Sequence, residues 1–455
     1  MRAAAGLSEK LGRWDMASEE REPVTIESLL KSGAILGHKD GNYGSQYPRV
    51  AEFGSEGVPF LTAKSLNDGR IDIEGAPRLS EQRANDLRFG FVQSGDVLLS
   101  HNATVGRVAV VPNFKGKLLI GTSLTYFRVD SSRILPRYLA AFFTGSDFQA
   151  QLNAVMSQST RNQVPITAQR KLRIVLPSLV DQATIADILG ALDDKIALIR
   201  EANETQKAIA RTIFKSWFVD FDPVRAKAEG REPEGLDAAT AALFPSEFED
   251  SDAGLIPQGW TTRGIDTIAE FLNGIALQKY PAMEREEWLP AIKIAQLKRG
   301  SVDGADRISP SIPEKYIVQD GDLLFSWSGS LEVEFWTGGK GALNQHLFKV
   351  SSEQFPHWFV YLWLRFHLDG FREIAESKVT TMGHIQRHHL SEATVVIPPR
   401  ETLRGLSGFA APLIEKVVAG RLQARTLTAL RDTLLPHLIS GKPRVPEAEA
   451  MLTEV

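Results

Sequence analysis

The chain is predicted to be an α+β protein that uses one plan twice. Each half is a mixed α/β module followed by a long heptad-patterned helix. The two helices pair as an antiparallel coiled coil, and the halves form a pseudo-two-fold internal repeat. Three observations predict this: blocks of similar sequence recur in one order, each repeat closes on a β-branched strand and a proline, and the apolar period then changes from two residues to alternating steps of four and three.

An N-terminal tail, residues 1–22, has little apolar pattern and precedes a first module over 23–178. Within that module VPFLTAKSLNDGRID (58–72) is followed by VQSGDVLLSHNATVGRVAVVP (92–112). In the second module, 257–400, LPAIKIAQLKRGSVD (289–303) is followed by VQDGDLLFSWSGSLEVEFW (318–336). Gly95 and Asp96 align with Gly321 and Asp322, and Ser100 with Ser326, so both blocks read as a Gly-Asp turn feeding an alternating apolar strand. Further on, TRNQVPITAQRKLRIVLP (160–177) aligns without a gap with TMGHIQRHHLSEATVVIP (381–398). Three blocks in the same order point to duplication.

After each closing proline comes a long helix, assigned to 179–221 and 401–441. Ile185, Leu189, Leu192, Ile196, Ile199, Asn203, Gln206, Ala210, Ile213 and Trp217 lie on one stripe of the first; Leu406, Ala410, Leu413, Val417, Gly420, Ala424, Leu427, Arg431, Leu434 and Leu438 lie on one stripe of the second. Each helix spans about 55 Å at ~1.5 Å per residue, and two matched stripes are most simply buried against each other. Asn203 and Gln206 interrupt the first stripe as register-setting polar residues do. Phe214, Trp217 and Phe218 at its end are assigned to an exposed partner-docking surface, with core packing as the alternative. Between helix and second module, 222–256 is acidic and scattered with proline and glycine, which reads as a linker holding one short helix near 236–244; a tail follows at 442–455.

Composition bounds the chemistry. Of the 455 residues 43% are hydrophobic and 24% charged, the profile of a soluble globular protein with two to four domains. No cysteine is present, which removes disulfides, cysteine-ligated zinc and cysteine nucleophiles and fits a reducing cytoplasm. The most apolar run, FVYLWLRF (359–366), is too short to cross a bilayer, so no membrane role is expected. Net charge is −4, but it is unevenly spread. Arg49 to Arg173 holds sixteen Lys and Arg against ten Asp and Glu, Asp220 to Asp252 three against ten, and Arg263 to Arg400 fifteen against seventeen, so only the first module carries a crude footprint for phosphate.

Catalytic signatures are missing. There is no GxxxxGK phosphate loop, and Asp222-Pro223 does not supply the Asp-Pro-Pro segment with which amino-methyltransferases hold a flipped base. His384 and His388 stand four apart but lack a convincing acidic third ligand beyond Glu392; Asp369, Glu376 and Lys378 fall on an amphipathic helix, not on nuclease-like strands. No catalytic, metal or cofactor site is therefore assigned to this chain. What remains is recognition, which needs donors and acceptors for base edges with cations nearby for phosphate. Thr160, Arg161, Asn162, Gln163, Arg170 and Lys171 give that mixture in the first module, and Lys378, Thr380, Thr381, His384, Gln386 and Arg387 give it at the aligned place in the second.

With DGNYGSQYP (40–48), GDVLLSHNATVGRVAVV (95–111), LPSLVDQATIADILGALDDKI (176–196), SWFVDFDPVRAKAEG (216–230) and PQGW (257–260), the chain resembles the specificity subunit of type I restriction-modification systems over nearly its whole length. It departs at Pro398, Pro399, Arg400 and Glu401, where the first repeat has Leu179, Val180, Asp181 and Gln182. The resemblance implies two target recognition domains reading a bipartite, asymmetric site on double-stranded DNA, and a non-catalytic scaffold for two methyltransferase subunits and two motor-nuclease subunits. S-adenosylmethionine, ATP and Mg²⁺ would act in those partners. Two other readings stay open: a stand-alone nuclease with a divergent site, and a coiled-coil adaptor that does not touch DNA. If helix length sets the unread spacer, inserting four residues between Glu201 and Gln206, about 6 Å of helix, lengthens the spacer and leaves both half-sites intact in a methylation map.

Overall fold

Residues 22–67, 69–157, 162–283, 287–377 and 383–440 are described by the computed structural model; the tails before Glu22 and after Ser440 lie outside them. Two compact units emerge, one running to Leu198 and resuming at Thr426, the other Ile199–Arg425.

In the first unit β1 (Ile35–Asp40), β2 (Val97–Ser100), β3 (Val108–Val110) and β4 (Leu124–Val129) form an antiparallel sheet in the order β3-β2-β4-β1. A second sheet of short strands contains one parallel pair, Val58–Leu61 beside Leu118–Ile120. The second unit repeats the plan. Its β5 (Glu270–Asn273), β6 (Leu323–Ser326), β7 (Val333–Phe335) and β8 (Leu347–Ser351) take the order β5-β8-β6-β7, and Leu289–Ile292 runs parallel to Gly341–Leu343. Even the register is kept, with Leu99 opposite Thr125 in one unit and Phe325 opposite Phe348 in the other.

The strands after the Gly-Asp turns are not half-exposed. All four residues of β2 and of β6 are buried, because both faces of the sheet are covered. In β6, Leu323 and Phe325 join the core that holds Trp358 and Phe359, while Leu324 points into a separate core with Trp336 and Leu343. Each module closes by pairing its ends: Val24–Thr25 with Arg173–Ile174, and Thr261–Gly264 with Thr394–Ile397. The closing strands then lead into the long helices.

Those helices are Leu179–Phe218 and Arg400–Ser440. In the first unit Ile185, Leu189, Leu192 and Ile196 of one are buried, as are Leu427, Leu434 and Leu438 of the other, and Asp193 pairs with Arg431 at 2.8 Å. In the second unit Ala210 and Trp217 are buried together with Leu406 and Ala410, and the Trp217 and Phe409 rings meet edge-on at 5.9 Å.

Two expectations are corrected. Phe214, Trp217 and Phe218 are 3%, 5% and 1% exposed, so they form core and not a docking surface. Phe214 lies edge-on to Trp363 and Phe218 packs on Trp260 and Phe359. The acidic segment 222–256 is no loose linker either. It folds into the helices Asp222–Ala228 and Ala238–Ala241 and a hairpin, Phe248–Ser251 with Gly254–Pro257. Val224, Phe244 and Ile256 enter the same core as Trp217 and Trp260, while the acidic residues between them stay at the surface.

Candidate nucleic-acid interface

The polar segments singled out in the sequence are clipped to the turns that follow β2 and β6. In the first unit the Ala103 N–H donates to the Asn162 carbonyl at 3.1 Å and the Val164 N–H to the His101 carbonyl at 2.8 Å, with Asn102 bridged to Gln163. In the second the Gly329 N–H donates to the Gly383 carbonyl at 2.7 Å and the Ile385 N–H to the Trp327 carbonyl at 2.9 Å, with Ser328 bridged to His384. Ala103 and Gly329 hold the same left-handed turn, at φ 64° and 63°. The backbone constellation is thus one, and the side chains along it are two different sets: His, Asn, Ala and Thr over 101–104, of which His101 is buried, against Trp, Ser, Gly and Ser over 327–330, of which Ser328 is buried.

Asn162 is exposed and Gln163 half-buried at this clip. Arg170 and Lys171 are exposed at the far end of the short helix Ile166–Gln169, where the Arg170 carbonyl accepts the Glu27 N–H at 2.9 Å. The Glu27 carboxyl is held below its ordinary range, first by Lys31 and also by these two cations. The four predicted residues are therefore divided between the turn and the helix end. In the second unit His384 is half-buried with its ring edge-on to Trp327 at 6.3 Å, and Gln386 and Arg387 are exposed at the start of the helix Arg387–Glu392. Thr160, Arg161, Lys378, Thr380 and Thr381 lie outside the described residues.

Sequence reasoning missed the other half of each clip. Asn102 brings an amide to the first. In the second, the Trp327 indole N–H donates to Asn273 Oδ1 at 3.1 Å and to the Gln345 carbonyl at 3.2 Å, and Ser328 Oγ lies 2.8 Å from His346 Nδ1. The signal was present: SHNAT and SWSGS follow the matched strands at the same offset.

Beneath the first turn lie two buried histidines. Burial pushes the His38 imidazole down to about 4, opposed mainly by its hydrogen bond to Gln169, and burial likewise depresses His101. Both are neutral at neutral pH. Neither ring nitrogen of His101 has a hydrogen-bond partner among the described residues. A histidine depressed in the folded state takes up its proton more readily once unfolded, so the stability it contributes is complete above the unfolded value and falls as pH drops from 6.5 toward 4. For His38 the loss is on the order of 3 kcal/mol. His38→Gln, which keeps a donor at the same reach, is expected to flatten that part of the pH dependence; urea midpoints measured between pH 7 and pH 4.5 check it.

Among the described residues one group has metal-ligand composition: His388, His389 and Glu392. His389 Nδ1 accepts the Gln386 N–H at 2.9 Å, so its other nitrogen carries the ring proton in the neutral form and offers no lone pair. That histidine caps its helix. Asp369 and Glu376 both lie on the helix His357–Glu376, where Asp369 pairs with Arg372 at 2.9 Å; Lys378 lies outside the described residues. No described helix is long and apolar enough to cross a membrane.

Residues 45–207 match the type I restriction modification DNA specificity domain family. The type I restriction enzyme MjaIX specificity subunit of Methanocaldococcus jannaschii is 25% identical over 413 residues, covering 88% of this chain and 90% of the relative. The HindI specificity subunit of Haemophilus influenzae is 23% identical over 404 residues, covering 77% and 87%. Among solved structures, the type I restriction-modification S subunit from M. genitalium aligns with 92% of this chain and 95% of its own at a TM-score of 0.48 and 13% identity.

Proposed function

We propose, from the premise that residues 45–207 form a type I restriction modification DNA specificity domain, that the whole chain is the DNA-reading subunit of a type I restriction-modification complex. The observation that carries this is the duplicated clip: one backbone arrangement, Asn102 with Gln163 and Ser328 with His384, carries different side chains in each unit, the half-buried amides of Asn102 and Gln163 in one and the half-buried His384 ring over a buried Ser328 in the other. Two such readers on one chain suit a bipartite target whose halves differ. Catalysis belongs to the partners: two methyltransferase subunits using S-adenosylmethionine and two motor-nuclease subunits using ATP and Mg²⁺, all in the cytoplasm.

The exposed cations at the far end of the short helix that follows the first clip, Arg170 and Lys171, are assigned to phosphate, and the turns to base edges. A mobility-shift titration of the full chain on duplex DNA tests this reading. Affinity that falls steeply as salt rises, with a retained preference for one duplex sequence over others, supports it. Metal-dependent cleavage by the purified chain alone, or salt-independent association with no preference, rejects it.

A further inference from the structure

The first clip rests on a buried hydrogen-bonded relay that the second lacks. Gln169 is fully buried, and both N–H directions of its amide and one side of its oxygen are used. Nε2 donates to the Val164 carbonyl at 3.0 Å and to Thr125 Oγ1 at 3.0 Å, and Oε1 faces His38 Nε2 at 3.0 Å. With the amide nitrogen committed to two acceptors, its oxygen must accept, so His38 carries its proton on Nε2. Thr125 and His38 are themselves buried, on β4 and β1. Val164 is the residue whose N–H closes the clip on His101, so Gln169 grips the same peptide segment from below that carries Asn162 and Gln163 above.

Register matching identifies the equivalent positions in the second unit. Phe348 stands where Thr125 does, Phe271 where His38 does, and Leu390 aligns with Gln169. There the relay is replaced by rings, with Phe271 edge-on to Phe348 at 5.7 Å, and Leu390 offers no donor to the Ile385 carbonyl. The polar clamp of that unit sits elsewhere, in the Trp327 and Ser328 hydrogen bonds. Apolar packing at this place is therefore compatible with the fold. A buried polar trio is more demanding than three apolar residues, since each member left unpaired is costly.

We propose that Gln169, oriented by His38 and Thr125, is a positioning residue that fixes the Asn162–Val164 segment for base readout by the first module. The proposal rests on the DNA-reading function given above. Gln169 touches no base; it acts through the Val164 carbonyl.

The test maps methylation by sequencing in cells carrying the full chain with its methyltransferase partners, which reads both half-sites at once and makes the second module an internal control. Gln169→Leu is expected to lower discrimination at one half-site by about tenfold or more and leave the other unchanged. His38→Gln, which keeps a donor toward Gln169, is expected to retain wild-type discrimination, whereas His38→Phe loses it. Should Gln169→Leu fail to accumulate, the double variant His38→Phe with Gln169→Leu installs two of the three residues of the second module, leaves only Thr125 Oγ1 of the trio unpaired, and is expected to be more stable than Gln169→Leu alone while still losing discrimination at that half-site. Unchanged specificity in a folded Gln169→Leu or double variant overturns the proposal, as does equal loss at both half-sites; wild-type recognition of two half-sites would still uphold the function. A wild-type chain that confers no sequence preference overturns both.

Discussion

Glu334→Ala is expected to destabilise the second unit by about 3–5 kcal/mol. The Glu334 carboxylate is 14% exposed and lies 2.7 Å from Arg421, 3.3 Å from Lys207 and 3.9 Å from Arg365. Lys207 is itself only 6% exposed and, among the described residues, keeps just one other anion, Glu204, which is largely in solvent. Deleting Glu334 therefore strands a buried ammonium beside two guanidiniums. These partners come from the first long helix, the second long helix and the helix His357–Glu376, so the loss falls where the module is fastened to its helices. Urea unfolding of the full chain measures it. Glu401→Gln breaks an ion pair with Arg404 whose members are 78% and 67% exposed, and should change the midpoint negligibly.

Gly41→Ala and Gly274→Ala should each cost upward of about 3 kcal/mol, for the same reason in the two repeats. A Cβ at Gly41 would lie 2.0 Å from the Ile120 carbonyl oxygen, and one at Gly274 2.2 Å from that of Asn344. In both places the obstacle is backbone, so relief requires moving a strand end and not a rotamer. The Gly41 N–H donates to Leu124 and the Gly274 N–H to Leu347, equivalent positions on β4 and β8, so such movement also breaks sheet hydrogen bonds. Gly190→Ala is the opposite case: it lies inside the first long helix with nothing within 4 Å of the added methyl, and is expected to stabilise by about 0.4–1 kcal/mol. Thermal midpoints of the three variants separate the two effects.

How far the sequence could be read follows from which signals are local. The long helices were legible because a heptad stripe is a local pattern, and the apolar stripe residues Ile185, Leu189, Leu192, Ile196, Ala210 and Trp217 report burial by their own identity. The repeat was legible because Gly95-Asp96 and Gly321-Asp322 fix turns by backbone chemistry alone, at φ 88° and 91°. The fold of 222–256 was not, since Val224, Phe244 and Ile256 are too widely spaced to show a period and only the core they enter explains them. Phe214, Trp217 and Phe218 were misread for a related reason: aromatic residues at a helix end look the same in sequence whether a partner or the chain's own second module covers them. The clips needed pairing across about sixty residues, Asn102 with Gln163 and Ser328 with His384, which no local rule supplies.

The most direct test of two independent readers on one duplicated frame is a methylation map compared across two paired variants, Asn102→Ala with Gln163→Ala in one chain and Ser328→Ala with His384→Ala in another. Each pair is expected to relax or alter one half-site only, a different half-site for each pair, with the unread spacer unchanged. A pair that alters both half-sites, or a map in which neither pair changes any base preference of a folded complex, would contradict the assignment of the clips to base readout.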